Sequence, residues 1–367
     1  MTLPVVTIIL PTYRRPRLLA RALRSVLAQT RGDFVVMVCD NDSADETSEV
    51  VADFAARDPR VTYHCNEHNI GALANFSAAF ARVETEYFCL LSDDDILLPR
   101  CLEIQARCLN EHPDAVAWGG IVLTLEGNEI VASKPSLRWP PGITNSSDAL
   151  KLLAMNCRLE TTGMLFRKRV IDAWFTDPPA LIASNDIAWL LTSATKGAIG
   201  FSPEPTAFFS VHCHSYSSQA SSSPEMANTL WMESAFKIAH CLASGHFGSD
   251  LVTEVNLRLQ IIRCYGVTPM IIALERSSRL GKNDYSKALF SILRHHLSCR
   301  ERCFFWTLSH SPSLVVRLLL FSLVVCRSLL RRWALLFGKS PTDIGWHVKL
   351  SDSQIDLCLV ALKGYEE

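Results

Sequence analysis

The stretch Phe88-Cys89-Leu90-Leu91-Ser92-Asp93-Asp94-Asp95 decides how this chain is to be read. A short apolar run of this kind fits a strand buried on both faces, and it leads directly into three carboxylates. Neighbouring acids repel one another at neutral pH, and a divalent cation relieves that repulsion. Hard oxygen ligands in a short acidic run suit Mg²⁺ or Mn²⁺ better than zinc, and such ions keep open positions for substrate phosphates. The alternative is a solvated acidic turn capping a helix from Ile96.

Upstream, the same pattern recurs. Strand-like runs are expected at Val5–Leu10, Phe34–Cys39, Val61–Cys65 and Tyr87–Leu91, with another at Ala115–Leu123. Between the first two, Leu18, Leu19, Ala22, Leu23, Val26 and Leu27 recur at helical spacing, and Ser43 is placed to cap the helix after the second. Strands alternating with amphipathic helices predict an α/β half-chain around a mostly parallel sheet. In such sheets ligands bind beyond the carboxyl ends of the strands. Those ends are polar here: Pro11-Thr12-Tyr13 after the first strand, Asp40-Asn41-Asp42-Ser43 after the second, Asn66 to Gly71 after the third, and the acids after the fourth. Any one of them reads equally as a turn or an N-cap; four sharing a mouth point to a ligand site.

Composition narrows the class. With 367 residues, 49% hydrophobic and 20% charged, the chain has ample material for a core and excludes low-complexity and disordered readings. Lys+Arg 36 against Asp+Glu 37 gives a net charge of −1, which lacks the basic field of a non-specific nucleic-acid binder. Thirteen cysteines scattered through helix-like and strand-like runs read as reduced, buried thiols, and no secretory leader is visible at the N-terminus. A cytoplasmic chain is the expectation.

Taken together, Leu10-Pro11-Thr12-Tyr13, Cys39-Asp40-Asn41-Asp42-Ser43, Asn69-Ile70-Gly71 and Ser92-Asp93-Asp94-Asp95 resemble family 2 glycosyltransferases of the GT-A fold, in order and spacing, over about residues 4–215. The resemblance implies an inverting, metal-dependent transferase. It places Pro11, Thr12 and Tyr13 around the donor nucleotide, has Asp40 accept a hydrogen bond from the base, and sets Asn69, Gly71 and Asn75 beside the donor pocket. The acidic triplet resembles the family's metal site, with Ser92 where many members begin the acidic run. Asp94 is the first candidate ligand and Asp93 the next, with Asp93 also beside the donor; Asp95 is a ligand, a supporting group or a cap. Ser184-Asn185-Asp186-Ile187-Ala188-Trp189 resembles the acceptor-side motif, making Asp186 the general base, although an Asp before a helical run is also an ordinary N-cap. The run from Ala207 to Ser217 resembles a stretch that carries a histidine near the metal and the diphosphate; His212 takes that place, and Ser210 stands where the family has an arginine.

The second half is less regular. A Pro-rich break at 139–142 precedes helix-like Ser147–Met155 and Ile187–Ala194, and a Ser-rich loop follows at 215–223. The expected division is a transferase domain over 1–215 and a helical region over 224–367. Within the latter, residues 300–340 carry seven Lys/Arg and one Glu among leucines and valines, a pattern for an amphipathic helix that either lies on an anionic membrane surface or packs internally. The expected location is therefore cytoplasmic, with peripheral contact at the inner face of the cell membrane. The partners implied are a nucleotide-sugar donor and a saccharide or lipid-linked saccharide acceptor, as in bacterial surface-polysaccharide assembly, and no nucleic acid. Two rivals remain at this stage. A sugar nucleotidyltransferase would carry a glycine-rich loop after the first strand, which Pro11-Thr12-Tyr13-Arg14-Arg15-Pro16 lacks. A non-catalytic membrane-attached scaffold would keep the fold without turnover.

Overall fold

The computed structural model describes residues 5–127, 129–133, 139–154, 159–175, 186–212, 358 and 360–365. Most of them belong to one compact unit formed by Met1–Ala149, Cys157–Ser215 and Trp346–Glu367. A second unit, Leu150–Asn156 with Tyr216–Gly345, lies almost wholly outside the described residues, and so does the basic 300–340 segment.

The continuous apolar runs form strands as expected. β1 (Val6–Thr12) is buried along its whole length, and β2 (Phe34–Asp40), β3 (Val61–Cys65) and β4 (Tyr87–Leu90) lie parallel to one another around it. With β5 (Ile96–Leu97), β6 (Ala115–Glu126), β9 (Leu165–Arg167) and β10 (Ala198–Val211), the sheet runs in the order β3-β2-β1-β4-β9-β6-β10-β5. The short β7 (Glu129–Ser133) pairs with β6 and β8 (Gly142–Thr144) with β10. The sheet is more mixed than the sequence suggests, because β9 enters antiparallel between β4 and β6.

Strand order reverses at β1: β2 and β3 are laid to one side and β4 to the other. A crevice opens at such a reversal, beyond the carboxyl ends of the strands. Thr12, Asp40 and Cys65 stand at one level on the ends of β1, β2 and β3, and the acids follow the end of β4.

Helix α1 (Pro16–Leu27) begins with Pro16, whose fixed φ suits a first helical position, and buries Leu19, Ala22, Leu23 and Val26. Its buried polar residues reach across to the segment after the acids. The Leu97 N–H donates to Ser25 Oγ at 3.1 Å; Gln29 donates to the Leu98 carbonyl at 2.7 Å and accepts from the Leu102 N–H at 3.1 Å. Every buried polar group in this contact is therefore paired.

The helix from Ile96 that the alternative reading of the acidic turn required does not form there. Ile96 and Leu97 pair with Phe208 and Ala207 of β10, and α4 starts at Cys101 (Cys101–Glu111), because the strand pairing satisfies the backbone that a helix would otherwise use. Ser43 does not cap α2 (Thr47–Arg57); its hydroxyl is spent on Asp40, and Asp45 accepts from the Thr47 N–H at 2.9 Å instead. The remaining helices are α3 (Ala72–Phe80), α5 (Ser146–Ala154), α6 (Arg169–Phe175) and α7 (Asp186–Lys196).

A final helical turn, 360–365, returns to the first unit and buries Leu362 and Tyr365; Arg24 of α1 donates to the Tyr365 carbonyl at 3.3 Å. The described cysteines are unpaired thiols, with Cys39, Cys89, Cys101 and Cys358 buried. Among the described residues no helix is long and apolar enough to cross a membrane.

Candidate active site

The crevice between β1 and β4 is closed by side chains from both. Thr12 donates its hydroxyl to Asp93 Oδ2 at 2.8 Å, joining the end of the first strand to the acidic turn. Arg15, the residue before α1, puts one guanidinium nitrogen, Nη1, 3.1 Å from Asp93 Oδ1 and 3.1 Å from Asp94 Oδ2. His212, just beyond β10, brings Nε2 to 3.1 Å from the same Asp94 Oδ2. Asp93 is nearly enclosed: burial pushes its carboxyl up to about 6, with Asp94 adding to the rise and Arg15 and Thr12 opposing it.

Asp95 faces away from this group. It is 1% exposed, and its two oxygens accept from the Ser210 N–H and the Thr162 hydroxyl, both at 2.9 Å. Its geometry is that of a strut between the acidic turn and β10. Arg21 completes that strut, donating from Nη2 to the Asp94 carbonyl at 2.8 Å and to Ser210 Oγ at 3.0 Å. Among the described residues no group of three or more His, Cys, Asp or Glu is arranged to hold a metal ion, so Asp93, Asp94, Asp95 and His212 do not form one closed ligand set.

Asp94 and His212 nonetheless fit a hard divalent cation. Two neighbouring ligands of an octahedral ion at about 2.1 Å stand about 3.0 Å apart, and such ions complete their shells with phosphate oxygens and water. Asp94 Oδ2 and His212 Nε2 share a hydrogen bond at 3.1 Å, close enough to act as neighbouring ligands of such an ion.

Asp40 is 2% exposed, and its oxygens are used inside the protein. Oδ1 accepts from the Ser43 N–H at 3.1 Å and its hydroxyl at 2.5 Å; Oδ2 accepts from the Tyr63 hydroxyl at 2.6 Å and the Cys65 thiol at 3.9 Å. A carboxylate has about four acceptor positions, and the Ser43 N–H, the Ser43 hydroxyl and the Tyr63 hydroxyl take three of them. These bonds make Asp40 an anchor of the 40–44 turn. In that turn Asp42 (φ 63) and Ala44 (φ 50) adopt left-handed backbone on either side of Ser43, and Ser43 Oγ accepts from the Arg14 N–H at 2.8 Å. Pro11 is buried within β1, whereas Tyr13 is 37% exposed at the mouth with the Arg14 guanidinium 5.1 Å above its ring.

Asn69, Gly71 and Asn75 are brought together by Asn41 and Asn66, which lie in the polar strand ends but were assigned no role there. Asn41 donates to Asn69 Oδ1 at 2.8 Å and accepts from Asn66 at 3.1 Å, while Asn66 also donates to Asn75 Oδ1 at 2.9 Å. Asn75 donates to the Cys39 carbonyl at 2.9 Å, and the Gly71 N–H to Asn69 Oδ1 at 2.9 Å. Gly71 has φ +84, which favours a residue without Cβ. This amide network pins the 66–71 loop to the ends of β2 and α3.

Asp186 is the first residue of α7. One turn later, Trp189 is enclosed by Phe80 of α3, Phe88 of β4 and Phe166 of β9, with ring centroids at 5.0, 5.9 and 5.9 Å. The helix that starts at Asp186 is thereby fastened to the strand that leads to the acids. Asn185 and His214 lie outside the described residues.

Sequence reasoning also passed over Arg15 and Arg21. The only signal was the density of arginines at 14, 15, 17, 21 and 24, with 17, 21 and 24 at helical spacing.

The sheet, with acids and a histidine meeting beyond its strand ends, has the architecture of the GT-A fold. Comparison with solved structures agrees: S. aureus TarS 1-349 superposes with a TM-score of 0.55 at 16% identity, covering 83% of this chain and 90% of that one. Residues 7–174 match the model of Glycosyl transferase family 2.

Among curated relatives, an uncharacterized glycosyltransferase of Methanocaldococcus jannaschii is 30% identical over 116 residues, 31% of this chain. The GalNAc(5)-diNAcBac-PP-undecaprenol beta-1,3-glucosyltransferase of Campylobacter jejuni is 31% identical over 127 residues, 34% of this chain. The matched stretches span only about two-fifths of those relatives, 40% and 41% of their lengths.

Proposed function

We propose that the chain is an inverting glycosyltransferase that moves one sugar from a nucleotide-diphosphate-sugar donor to a hydroxyl of a glycan or lipid-linked saccharide, in surface-polysaccharide assembly of the bacterial type. The observation that carries this reading is the meeting of Thr12, Arg15, Asp93, Asp94 and His212 at the switch point of the sheet. The name of the Campylobacter relative, a GalNAc(5)-diNAcBac-PP-undecaprenol beta-1,3-glucosyltransferase, supports the lipid-linked acceptor and a β-linked product.

Asp94 and His212 would hold Mg²⁺ or Mn²⁺, which supplies positive charge to the departing diphosphate. The chain's own groups do the rest. Thr12 keeps Asp93 in place, Arg21 and Asp95 fix the backbone of the acidic turn, and Tyr13 offers an exposed ring at the mouth to the nucleotide. Asp186 takes the proton of the acceptor hydroxyl as it attacks the anomeric carbon from the face opposite the diphosphate, so an α-linked donor gives a β-linkage.

The test is thermal unfolding against a panel of nucleoside diphosphates with Mn²⁺, followed by transfer assays with the matching sugar donors. A ligand bound only by the native state raises the unfolding midpoint. The expected result is that one nucleotide stabilises the wild type and Asp186→Asn but not Asp94→Asn, while both variants lose transfer. No stabilisation by any nucleotide at saturating Mn²⁺ overturns the donor site; full transfer by Asp186→Asn overturns the base.

A further inference from the structure

Arg15 occupies the position of a cation. Its Nη1 is equidistant, at 3.1 Å, from a carboxylate oxygen of Asp93 and one of Asp94, and those carboxylates are largely buried, with side chains 6% and 11% exposed. Asp94 Oδ2 carries both this guanidinium and the His212 imidazole. An ion between Asp94 and His212 would sit against the guanidinium, and two positive charges in a poorly solvated pocket repel strongly. One of them must leave.

The surroundings favour departure of Arg15. Asp93 remains fastened by the Thr12 hydroxyl on Oδ2, and the backbone at Asp94 remains fastened by Arg21, so neither carboxylate needs Arg15 to keep its place. The Arg15 side chain is 25% exposed and stands at the N-cap of α1, next to the mouth of the crevice. A guanidinium released there meets the place where a donor diphosphate enters, and its planar fork matches phosphate oxygens.

We propose that Arg15 is an internal counter-ion that a divalent cation displaces, and that the displaced guanidinium then binds the diphosphate of the donor; this rests on the cation and donor site proposed above. Arg15 thereby couples the two ligands. Before the cation arrives it neutralises Asp93 and Asp94, and afterwards it belongs to the substrate.

Direct binding of Mn²⁺ to the full chain, by electron paramagnetic resonance of the free ion, and of inorganic pyrophosphate at saturating Mn²⁺, by calorimetry, tests this without turnover. Removing a charged hydrogen-bonding competitor should tighten Mn²⁺ binding by about tenfold or more in Arg15→Met and weaken pyrophosphate binding by a similar factor. Arg15→Lys, which keeps the charge but not the fork, should shift both in the same directions by less, and it serves if the Met variant does not fold. Mn²⁺ affinity unchanged or weaker in the Arg15 variants overturns the displacement, and unchanged pyrophosphate affinity overturns the second role. Asp94→Asn separates the premise: if it binds Mn²⁺ like the wild type, the cation site itself is wrong, whereas loss of binding there with no gain in Arg15→Met refutes only the part given to Arg15.

Discussion

Replacing Trp189 with leucine tests whether the aromatic anchor positions the start of α7. Trp189 is 6% exposed and meets the rings of Phe80, Phe88 and Phe166. Leucine keeps an apolar group in the site but loses those ring contacts, each worth about 0.5–1.5 kcal/mol beyond burial, so a loss of about 2–3 kcal/mol is expected after allowing for non-additivity. That is a large share of a typical domain's stability, and urea unfolding reads it directly as a lower midpoint.

If Asp186, one helical turn upstream, is the base proposed above, the functional cost falls there. A displacement of about 1 Å at a reacting group costs on the order of a hundredfold in rate. Transfer by Trp189→Leu is therefore expected to fall in kcat, with the donor KM little changed, and Trp189→Phe to recover much of the rate. A leucine variant with the wild-type midpoint and the wild-type kcat would refute the argument that the Phe80–Phe88–Phe166 cluster sets the position of α7.

Two further perturbations are as direct. Burial raises Asp93 from 3.8 to about 6, so proton binding favours the folded state. The resulting stability is present in full below about pH 4 and is lost as the pH rises through about 6, a contribution on the order of 3 kcal/mol. Urea titrations without divalent cation should show this decline in the wild type and its absence in Asp93→Asn; parallel pH profiles would contradict it. At Gly200, an added Cβ would stand 2.0 Å from the Trp118 ring, in a strand that cannot retreat without breaking its pairing to β6. Gly200→Ala is expected to cost about 3 kcal/mol or more, seen as a collapse in folded yield or urea midpoint, and near-wild-type stability would show that β6 and β10 can separate locally.

The parallel half of the sheet was open to reading because strands buried on both faces are uninterrupted apolar runs. Val61–Cys65 was expected and found with the same bounds, and the other three strands differ by one or two residues at their ends. Helix α7 was also close, with Ile187–Ala194 expected and Asp186–Lys196 found.

β10 was not legible as a strand. Pro203 and Pro205 cannot donate to a ladder, and they fall where its pairing with β6 shifts register, so the local sequence argued against the strand that tertiary pairing imposes. β5 and β9 are too short for any periodicity to register. At the site, carboxylates adjacent in sequence announced themselves. The partners of Arg15 and Arg21 lie more than 70 positions away, and the choice among exposed and buried arginines is made only when α1 packs. Asp40 stood out by its place after the second strand, but its bonds to Tyr63 and Cys65 depend on residues of the neighbouring strand and could not be read locally.

The bond from Arg24 to Tyr365 joins residues 341 positions apart. At about 5–20 residues per second, a ribosome needs about 20–70 s to make the intervening polypeptide. Throughout that interval the surface that will enclose Leu362 and Tyr365 stands bare on the nascent chain. Fragments ending near residue 215 keep it bare permanently, and their solubility should improve when a peptide bearing residues 358–365 is supplied in trans.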